Sequence, residues 1–149
     1  MCGIVGYLSF TKKNDHFAIH SMTNTLLRRG PDASGYFTDQ HIALGHRRLS
    51  IIDVSDQANQ PIISHDGRYI MVYNGEVYNY NELSSQLKNK FNLNFKSTSD
   101  SEVILEAFSI YGPEFIQSLN GMFSIAIYDK EKNELFVFRD RIGIKPLYY

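Results

Sequence analysis

Hydrophobic and polar positions along the chain predict strands first, then helices, then strands again. The opening ten residues are rich in β-forming residues and glycine, which predicts a strand. The next segment predicts a helix that Asn14 or Asp15 caps and that ends at Gly30-Pro31. Its apolar members are Phe17, Met22, Leu26 and Leu27.

The middle of the chain has shorter apolar runs separated by polar residues. Residues 35–52 predict two short strands. Their apolar members are Ile42, Leu44, Leu49, Ile51 and Ile52. Residues 53–67 are polar and contain turn-forming residues, which predicts loop and turn. Residues 68–73 predict a buried strand that ends at Asn74-Gly75.

Helical spacing follows this strand. Tyr80, Leu83 and Leu87 recur at positions that share one face of a helix. A second helix begins around Ser99-Asp100 and ends at Gly112, because glycine commonly ends helices. Its apolar members are Val103, Ile104, Ala107, Phe108 and Tyr111.

The last third of the chain predicts a short helix and then strands. Pro113-Glu114 opens the short helix. Residues 121–128 and 134–139 predict a hairpin across a polar turn, and residues 143–149 look like chain that enters another strand. This order predicts an α+β fold with mostly antiparallel sheets rather than alternating β-α-β units.

Composition limits the classes of function. The chain has 149 residues, a length typical of one domain, and a net charge of −1, which leaves no basic surplus for nucleic acid or an anionic membrane. It contains no apolar run long enough to span a bilayer and no signal peptide, so we expect a cytoplasmic protein. No Walker loop or dinucleotide-binding motif is present, and the His16/His20 pair lacks a third metal ligand, so we expect no metal site.

The single cysteine follows the initiator methionine. If Met1 is removed, Cys2 carries a thiol and a free α-amine on one residue. An α-amine has a pKa of about 7.7–8.0, so a neutral fraction exists at physiological pH and can accept the thiol proton. This is the arrangement of an N-terminal nucleophile. By position alone, the alternative of a small buried hydrophobic residue is favoured.

Three further features have a catalytic and a structural interpretation each. Asn74-Gly75 followed by Glu76 could form an oxyanion hole, or a tight turn. Arg48 could bind a substrate carboxylate, or simply face solvent. Asp100 could bind a substrate ammonium group, or belong to the capped first turn of a helix. For each one the residues alone favour the structural interpretation.

Seven motifs in order, from the first residue to the last, closely resemble the N-terminal glutaminase domain of glutamine-hydrolysing asparagine synthetases. These are class II, N-terminal nucleophile, glutamine amidotransferases. The matching segments are Met1-Cys2-Gly3-Ile4-Val5-Gly6, Arg28-Arg29-Gly30-Pro31-Asp32, residues 46–53, Tyr73-Asn74-Gly75-Glu76-Val77-Tyr78-Asn79, Ser99-Asp100-Ser101-Glu102-Val103, Asn120-Gly121-Met122-Phe123 and residues 139–149. Any one motif is weak, but the seven together are specific.

The resemblance implies a role for each matching residue. Cys2 attacks the side-chain amide of glutamine, and its α-amine acts as the general base. Asn74 and Gly75 form the oxyanion hole, Arg48 holds the substrate carboxylate and Asp100 the substrate ammonium. Glu76 helps to fix the amino-acid end. The backbone that lines the pocket belongs to Leu49, Ser50, Ile51 and Ile52.

The resemblance also implies a fold and a wider context. The implied fold is a four-layer α/β/β/α sandwich, and residues 1–149 are expected to be its glutaminase domain. If the domain of relatives continues beyond the position of residue 149, the sheets formed by this sequence lack a strand. The family's synthetase half is absent from this sequence, so ATP and magnesium are expected only on that half and no cofactor here. Expected partners are L-glutamine and a synthetase domain in cis or trans, with a homodimer also considered, and neither nucleic acid nor membrane.

Other functions stay open on the sequence. The chain could bind glutamine or a partner without catalysis, or supply nitrogen for amidation of a sugar carboxylate. A third alternative is an N-terminal nucleophile hydrolase that acts on another amide. Arg48 and Asp100 suit a free amino acid better than a peptide or acyl amide.

Overall fold

The computed structural model describes residues 2–11 and 16–149, with the backbone alone at His16. The strands of these residues are β1 (Gly3–Leu8), β2 (Ala33–Thr38), β3 (Ile42–Arg48), β4 (Ile62–Ile63), β5 (Tyr69–Val77), β6 (Gly121–Asp129) and β7 (Glu134–Arg139). The α-helices are α1 (His16–Asn24), α2 (Tyr80–Phe91) and α3 (Asp100–Tyr111), and two 3-10 helices span Asp56–Ala58 and Pro113–Ser118. The predicted cap at Asn14 or Asp15 lies outside the described residues.

The strands form two antiparallel sheets. The first sheet has the order β1-β3-β2 and the second the order β4-β5-β6-β7. Every strand pair in the described ranges is antiparallel. The predicted fold class is therefore confirmed, as is the hairpin of β6 and β7 across residues 130–133.

The two sheets and the helices stack as four layers. Helix α1 packs on the first sheet. The first sheet packs against the second through contacts of β1 and β3 with β5. Helix α3 packs on the far side of the second sheet, beside α2. The larger apolar core lies between the second sheet and the helices; Val103, Phe108 and Ile125 are among its buried members. The smaller core lies between the sheets around Ile42, Val72 and Tyr128. This is the α/β/β/α arrangement that the family resemblance implied.

Two helix boundaries agree with the sequence in detail. Ser99 caps α3, and its side chain accepts a hydrogen bond from the backbone nitrogen of Ser101 at 3.3 Å. Gly112 ends the helix with φ +75°, a left-handed value that glycine adopts without a Cβ penalty. Helix α1 ends earlier than predicted, at Asn24, and successive turns lead from there to Gly30.

The two strands predicted within residues 35–52 are β2 and β3, but the second ends at Arg48 and does not continue through Ile52. Residues 49–55 form a loop in which Ile51 is 71% exposed and Ile52 is 38% exposed. The cause is Arg48, whose guanidinium donates hydrogen bonds to the carbonyl oxygens of Asp53 and Ser55. These bonds hold the loop close to the guanidinium and prevent an extended strand. The next predicted loop, residues 53–67, contains a 3-10 helix and the two residues of β4.

Two further expectations are corrected. Strand β5 does not end at Asn74-Gly75 but continues through them to Val77, where they pair with Ser124 and Phe123 of β6. Residues 143–149 form no strand. Side chains of Arg139 and Asp140 bond to the backbone of this segment, at Gly143, Ile144 and Lys145, and so take up the groups that strand pairing would use.

Candidate active site

A cleft opens where the ends of several strands meet the start of α3. It encloses about 100 Å³ within a wider opening of about 660 Å³, a size that suits a ligand as small as an amino acid. The predicted site residues that line it are Cys2, Arg48, Leu49, Ile51, Ile52, Asn74, Gly75, Glu76 and Asp100. Ser50 is the exception, since its backbone nitrogen is bonded to Asp32 at 2.8 Å and it does not line the cleft. The fold therefore brings together residues that lie up to 98 positions apart in the sequence.

Cys2 directly precedes β1 and is half-buried. Its Sγ atom lies 3.4 Å from the backbone nitrogen of Leu49, which donates a hydrogen bond to the sulfur. The carbonyl oxygen of Cys2 accepts a hydrogen bond from Nε of Arg29 at 3.1 Å. The contact with Arg29 holds the backbone of Cys2, and the contact with Leu49 is of the kind that stabilises a thiolate.

Arg48 ends β3 and is 7% exposed, so the solvent-facing interpretation is wrong. Its Nη1 donates to the carbonyl oxygen of Ser55 at 2.7 Å and to Oδ1 of Asn59 at 2.8 Å, and Nη2 donates to the carbonyl oxygen of Asp53. A guanidinium has five N–H groups. The three bonds engage three of these groups, which leaves two for a further acceptor such as a carboxylate.

Asp100 is the first residue of α3 and is 4% exposed. Its Oδ2 accepts hydrogen bonds from the hydroxyl of Tyr73 at 2.6 Å and from the backbone nitrogen of Val77 at 3.0 Å. Burial raises the pKa of Asp100 above its usual range, and these two hydrogen bonds oppose that rise. Asp100 therefore both begins the capped helix and lines the cleft, while its role toward a substrate ammonium group stays a prediction.

Asn74 and Gly75 lie side by side in β5 at the cleft wall. Asn74 is buried, and a side-chain amide is a strong donor in such a place. A Cβ at Gly75 would lie 2.3 Å from the carbonyl oxygen of Met122 and 2.7 Å from Cα of Phe123. Only glycine therefore lets β5 and β6 approach each other here.

His46 supports the same wall from the first sheet. Its ring is fully buried and its Nε2 lies 3.2 Å from the carbonyl oxygen of Tyr73, to which it donates. Burial lowers the pKa of His46 to about 4, with the charge of Arg48 acting in the same direction. His46 is therefore neutral at physiological pH.

Lys145 lines the opposite side of the cleft with only 2% exposure. Its backbone is fixed by Asp140, which accepts hydrogen bonds from the backbone nitrogens of Phe123, Ile144 and Lys145. Burial raises the pKa of Asp140, but these bonds together hold it below its usual value. The segment is thus fixed by an ionised carboxylate.

Sequence reasoning missed several lining residues. These are Asp53, Ala58, Gln60, Tyr73, Ser99, Met122 and Lys145. Several of them lie inside matching motifs, and this position was the signal that could have identified them as lining residues. They are Asp53, Tyr73 beside Asn74, Ser99 beside Asp100, Met122 beside Phe123, and Lys145. Gln60 had none, because its contact to the backbone nitrogen of Tyr73, at 2.6 Å, depends on tertiary structure.

The described ranges lack both a metal-binding cluster and a membrane-spanning helix. Residues 2–11 and 16–149 contain no group of three His, Cys, Asp or Glu side chains placed to hold a metal ion. Within the same ranges, no helix has the length and apolar character needed to cross a membrane. The exposed His20 packs against Tyr36 with ring centroids 4.0 Å apart and the rings tilted by 40°, while the side chain of His16 lies outside the described residues.

Comparison with known proteins places the chain among relatives. A family model described as "Glutamine amidotransferase domain" matches residues 1–149. Asparagine synthetase [glutamine-hydrolyzing] 2 of Bacillus subtilis is 41% identical and is matched over 100% of this chain and 20% of its own length. Asparagine synthetase B [glutamine-hydrolyzing] of Escherichia coli is 39% identical over 99% of this chain and 26% of its own length.

The chain spans about a quarter of the length of the curated relatives it matches. Among solved structures, glutamine phosphoribosylpyrophosphate amidotransferase from B. subtilis superimposes with a TM-score of 0.80 at 20% identity, covering 98% of this chain and 38% of that one. This likeness shows the fold, an N-terminal nucleophile hydrolase sandwich with antiparallel sheets. The match along the whole sequence and the fold together show that the chain belongs to the class II glutamine amidotransferase family.

Proposed function

We propose that the chain hydrolyses the side-chain amide of L-glutamine to glutamate and ammonia through a thioester on Cys2. The observation that carries this proposal is the meeting of a thiol, a buried arginine and a buried aspartate in one cleft of amino-acid size. Arg48 supplies a positive charge for a carboxylate and Asp100 a negative charge for an ammonium group. A free amino acid is the ligand that carries both.

The reaction begins with removal of Met1, which makes the amine of Cys2 the α-amine of the chain. This amine accepts the thiol proton, directly or through one water, and Sγ attacks the amide carbon of glutamine. The carbonyl π bond opens as the C–S bond forms, and the negative charge moves to the oxygen. The protonated amine then gives its proton to the leaving nitrogen, the C–N bond breaks, and ammonia departs from a thioester.

Water completes the turnover. The α-amine, again neutral, takes a proton from the water that attacks the thioester carbon. The C–S bond breaks, glutamate leaves, and the thiol recovers its proton. The reaction uses only the groups of Cys2, the oxyanion donors and water.

Asn74 and Gly75 are the donors for the oxyanion. Asn74 provides a side-chain amide and Gly75 a backbone N–H, both at the cleft wall. Removing one such donor from an enzyme typically lowers kcat by about 10²–10³-fold. We assign Leu49, Ile51, Ile52 and Glu76 to the walls that orient the amino-acid end, and Ser50 to support of the same loop through Asp32.

The ammonia is proposed to serve a synthetase half, in cis or in trans, that transfers it to a carboxylate. The support is the similarity to proteins named glutamine-hydrolysing asparagine synthetases, of which this chain spans only a fraction. ATP and magnesium belong to that half in this proposal. Residues 1–149 are proposed to belong to the glutaminase half.

The test is release of glutamate from glutamine by the chain and by its Cys2→Ala variant. We expect turnover in the first and none in the second, with an acid-stable glutamyl adduct on Cys2 in the first when the reaction is quenched. Equal rates in the two proteins contradict the proposal. Binding of glutamine without hydrolysis by the chain itself favours a non-catalytic glutamine-binding module instead.

A further inference from the structure

Tyr73 and Asp100 form a buried pair, and the proposed reaction gives no role to the tyrosine. The hydroxyl of Tyr73 lies 2.6 Å from Oδ2 of Asp100, and the two residues are 3% and 4% exposed. Both line the cleft. The tyrosine is thus close enough to act on the group that is proposed to bind the substrate ammonium.

The hydrogen bonds to Asp100 fall mainly on one of its oxygens. Oδ2 accepts from the Tyr73 hydroxyl and from the backbone nitrogen of Val77 at 3.0 Å. Oδ1 has a long contact of 3.5 Å with the hydroxyl of Ser99, and the backbone N–H of Ser101 also lowers the pKa of the carboxyl group. The carboxylate is therefore held mainly by one oxygen while the other stays available for a further donor.

We infer that Tyr73 is a positioning residue, whose hydroxyl orients the Asp100 carboxylate so that Oδ1 meets the α-ammonium group of glutamine. This inference rests on the proposed function and extends it to the selection of an amino acid over its deaminated analogue. An ionised carboxylate accepts hydrogen bonds more strongly than a neutral one, so the tyrosine also favours the charged form.

Several charged or titratable groups surround this pair. Burial raises the pKa of Asp100, the nearby charge of Glu76 adds to the rise, and the Tyr73 hydroxyl opposes it. The groups that line the cleft with Asp100 are Cys2, Arg48, Asp53, Tyr73, Glu76 and Lys145. Among them Tyr73 is the side chain that donates directly to Asp100 in the described structure.

The first experiment measures binding by calorimetry in the Cys2→Ala background, which prevents turnover. Tyr73→Phe removes the hydroxyl and keeps the ring. We expect the Kd for glutamine to rise about ten-fold, the loss typical of a hydrogen bond to a charged group. The Kd for 4-carbamoylbutanoate, which is glutamine without its α-amino group, should stay unchanged.

A matched control is Tyr128→Phe in the same background. Tyr128 is also buried, and its hydroxyl donates to Oδ1 of Asn133 at 2.8 Å outside the cleft. We expect this variant to bind both ligands as the parent does. It separates the loss of any buried tyrosine hydroxyl from the loss of the one beside Asp100.

The second readout is the pH dependence of the Kd for glutamine. Below the pKa of Asp100 its carboxylate is neutral and the ammonium group loses its partner. Without the Tyr73 hydroxyl this pKa is higher, so the decline in affinity should begin at a higher pH in Tyr73→Phe than in the parent. If Tyr73 had a purely structural role, the pH at which the affinity for glutamine begins to decline would be the same in the variant and the parent.

The outcomes separate the two proposals. Equal Kd values for glutamine in Tyr73→Phe and the parent overturn the inference about Tyr73 alone. An equal loss of affinity for glutamine and for 4-carbamoylbutanoate also overturns it, because that result indicates a distorted cleft. If the Cys2→Ala parent binds neither ligand, both the inference and the proposed function are overturned.

Discussion

The carboxylate of Asp53 accepts hydrogen bonds from the backbone nitrogen of Thr98 at 2.8 Å and from its hydroxyl at 3.1 Å. This contact ties the loop after β3 to the turn that leads into α3. Because Arg48 ends that strand and Asp100 begins that helix, the contact fixes the distance between the proposed carboxylate-binding and ammonium-binding groups. The two halves of an amino-acid site are thus joined by one side chain.

Asp53→Asn should weaken glutamine binding without a matching loss of kcat. One carboxylate oxygen becomes an NH₂ group that cannot accept from Thr98, so the loop and the helix start lose their fixed separation. We expect KM for glutamine to rise about five- to ten-fold, as for loss of one or two hydrogen bonds. Steady-state kinetics of glutamate release measures the change.

Asp66→Asn is the control for this change. Asp66 also joins a loop to α3, through the hydroxyl of Ser109 at 3.1 Å, but it does not line the cleft. Its KM should match that of the unsubstituted chain. A similar rise in KM for both variants would show that the effect is a general loosening of α3.

Arg48→Lys should raise KM for glutamine by about 10–100-fold. Lysine keeps the charge but cannot form the planar fork that bonds two carboxylate oxygens while also holding Ser55 and Asn59. Arg47→Lys, at the adjacent and less buried position, is the matched control and should leave KM unchanged. Equal effects of the two substitutions would argue against a specific role for Arg48.

His46 should make the stability of the chain depend on pH between about 4 and 6.5. In the folded chain burial holds its pKa at about 4, whereas in the unfolded chain the pKa is the ordinary 6.5. Below pH 6.5 the unfolded state therefore binds a proton that the folded state does not, and the free energy of unfolding falls as the pH falls. The full effect at the low end is roughly 3 kcal/mol.

Urea unfolding of the chain and of His46→Gln across this pH range checks the prediction. The side chain introduced at position 46 has no titrating group. The fall in the free energy of unfolding between neutral and acidic pH should therefore be smaller in His46→Gln than in the unsubstituted chain. His20→Gln, at an exposed position on α1, should leave the pH profile as it is. Parallel profiles for the chain and His46→Gln would contradict the assignment.

Gly75→Ala should destabilise the pairing of β5 and β6. The added Cβ meets backbone atoms of Met122 and Phe123, which cannot move aside as a flexible side chain could. Overpacking of this kind costs about 1–3 kcal/mol or more. Thermal unfolding should show a lower midpoint than for Gly67→Ala, where a Cβ meets open space and the cost comes from φ +76° alone. The reverse order would contradict the close approach of the two strands.

The sequence predicted the elements whose periodicity and caps are local. Helix α3 between Ser99 and Gly112 and the hairpin of β6 and β7 are examples, because apolar spacing and end residues lie within them. The second strand predicted within residues 35–52 ends before Ile51 and Ile52 because a tertiary interaction, the guanidinium of Arg48 on the carbonyl oxygens of the loop, overrides the apolar pattern. Exposed isoleucines beside a cleft are not distinguishable from core isoleucines by composition.

The site residues, unlike the helices and strands, were not predictable from local patterns. The resemblance, and not the spacing, brought Cys2, Arg48 and Asp100 together, and the structure places all three at one cleft. Asp53 and Tyr73 lie inside matching motifs, but their supporting contacts were not predictable, since they reach Thr98 and Asp100 over 45 and 27 positions of chain. Such supporting contacts depend on the tertiary fold and leave no local pattern.

The proposed reaction needs the thiol and the free α-amine of Cys2 on the same residue. The most direct test is the rate of glutamate release by chain shown by intact mass to begin at Cys2, measured beside chain that retains Met1. We expect turnover from the first form and none from the second, because a peptide nitrogen cannot accept the thiol proton. Comparable turnover by the form that retains Met1 would contradict the account.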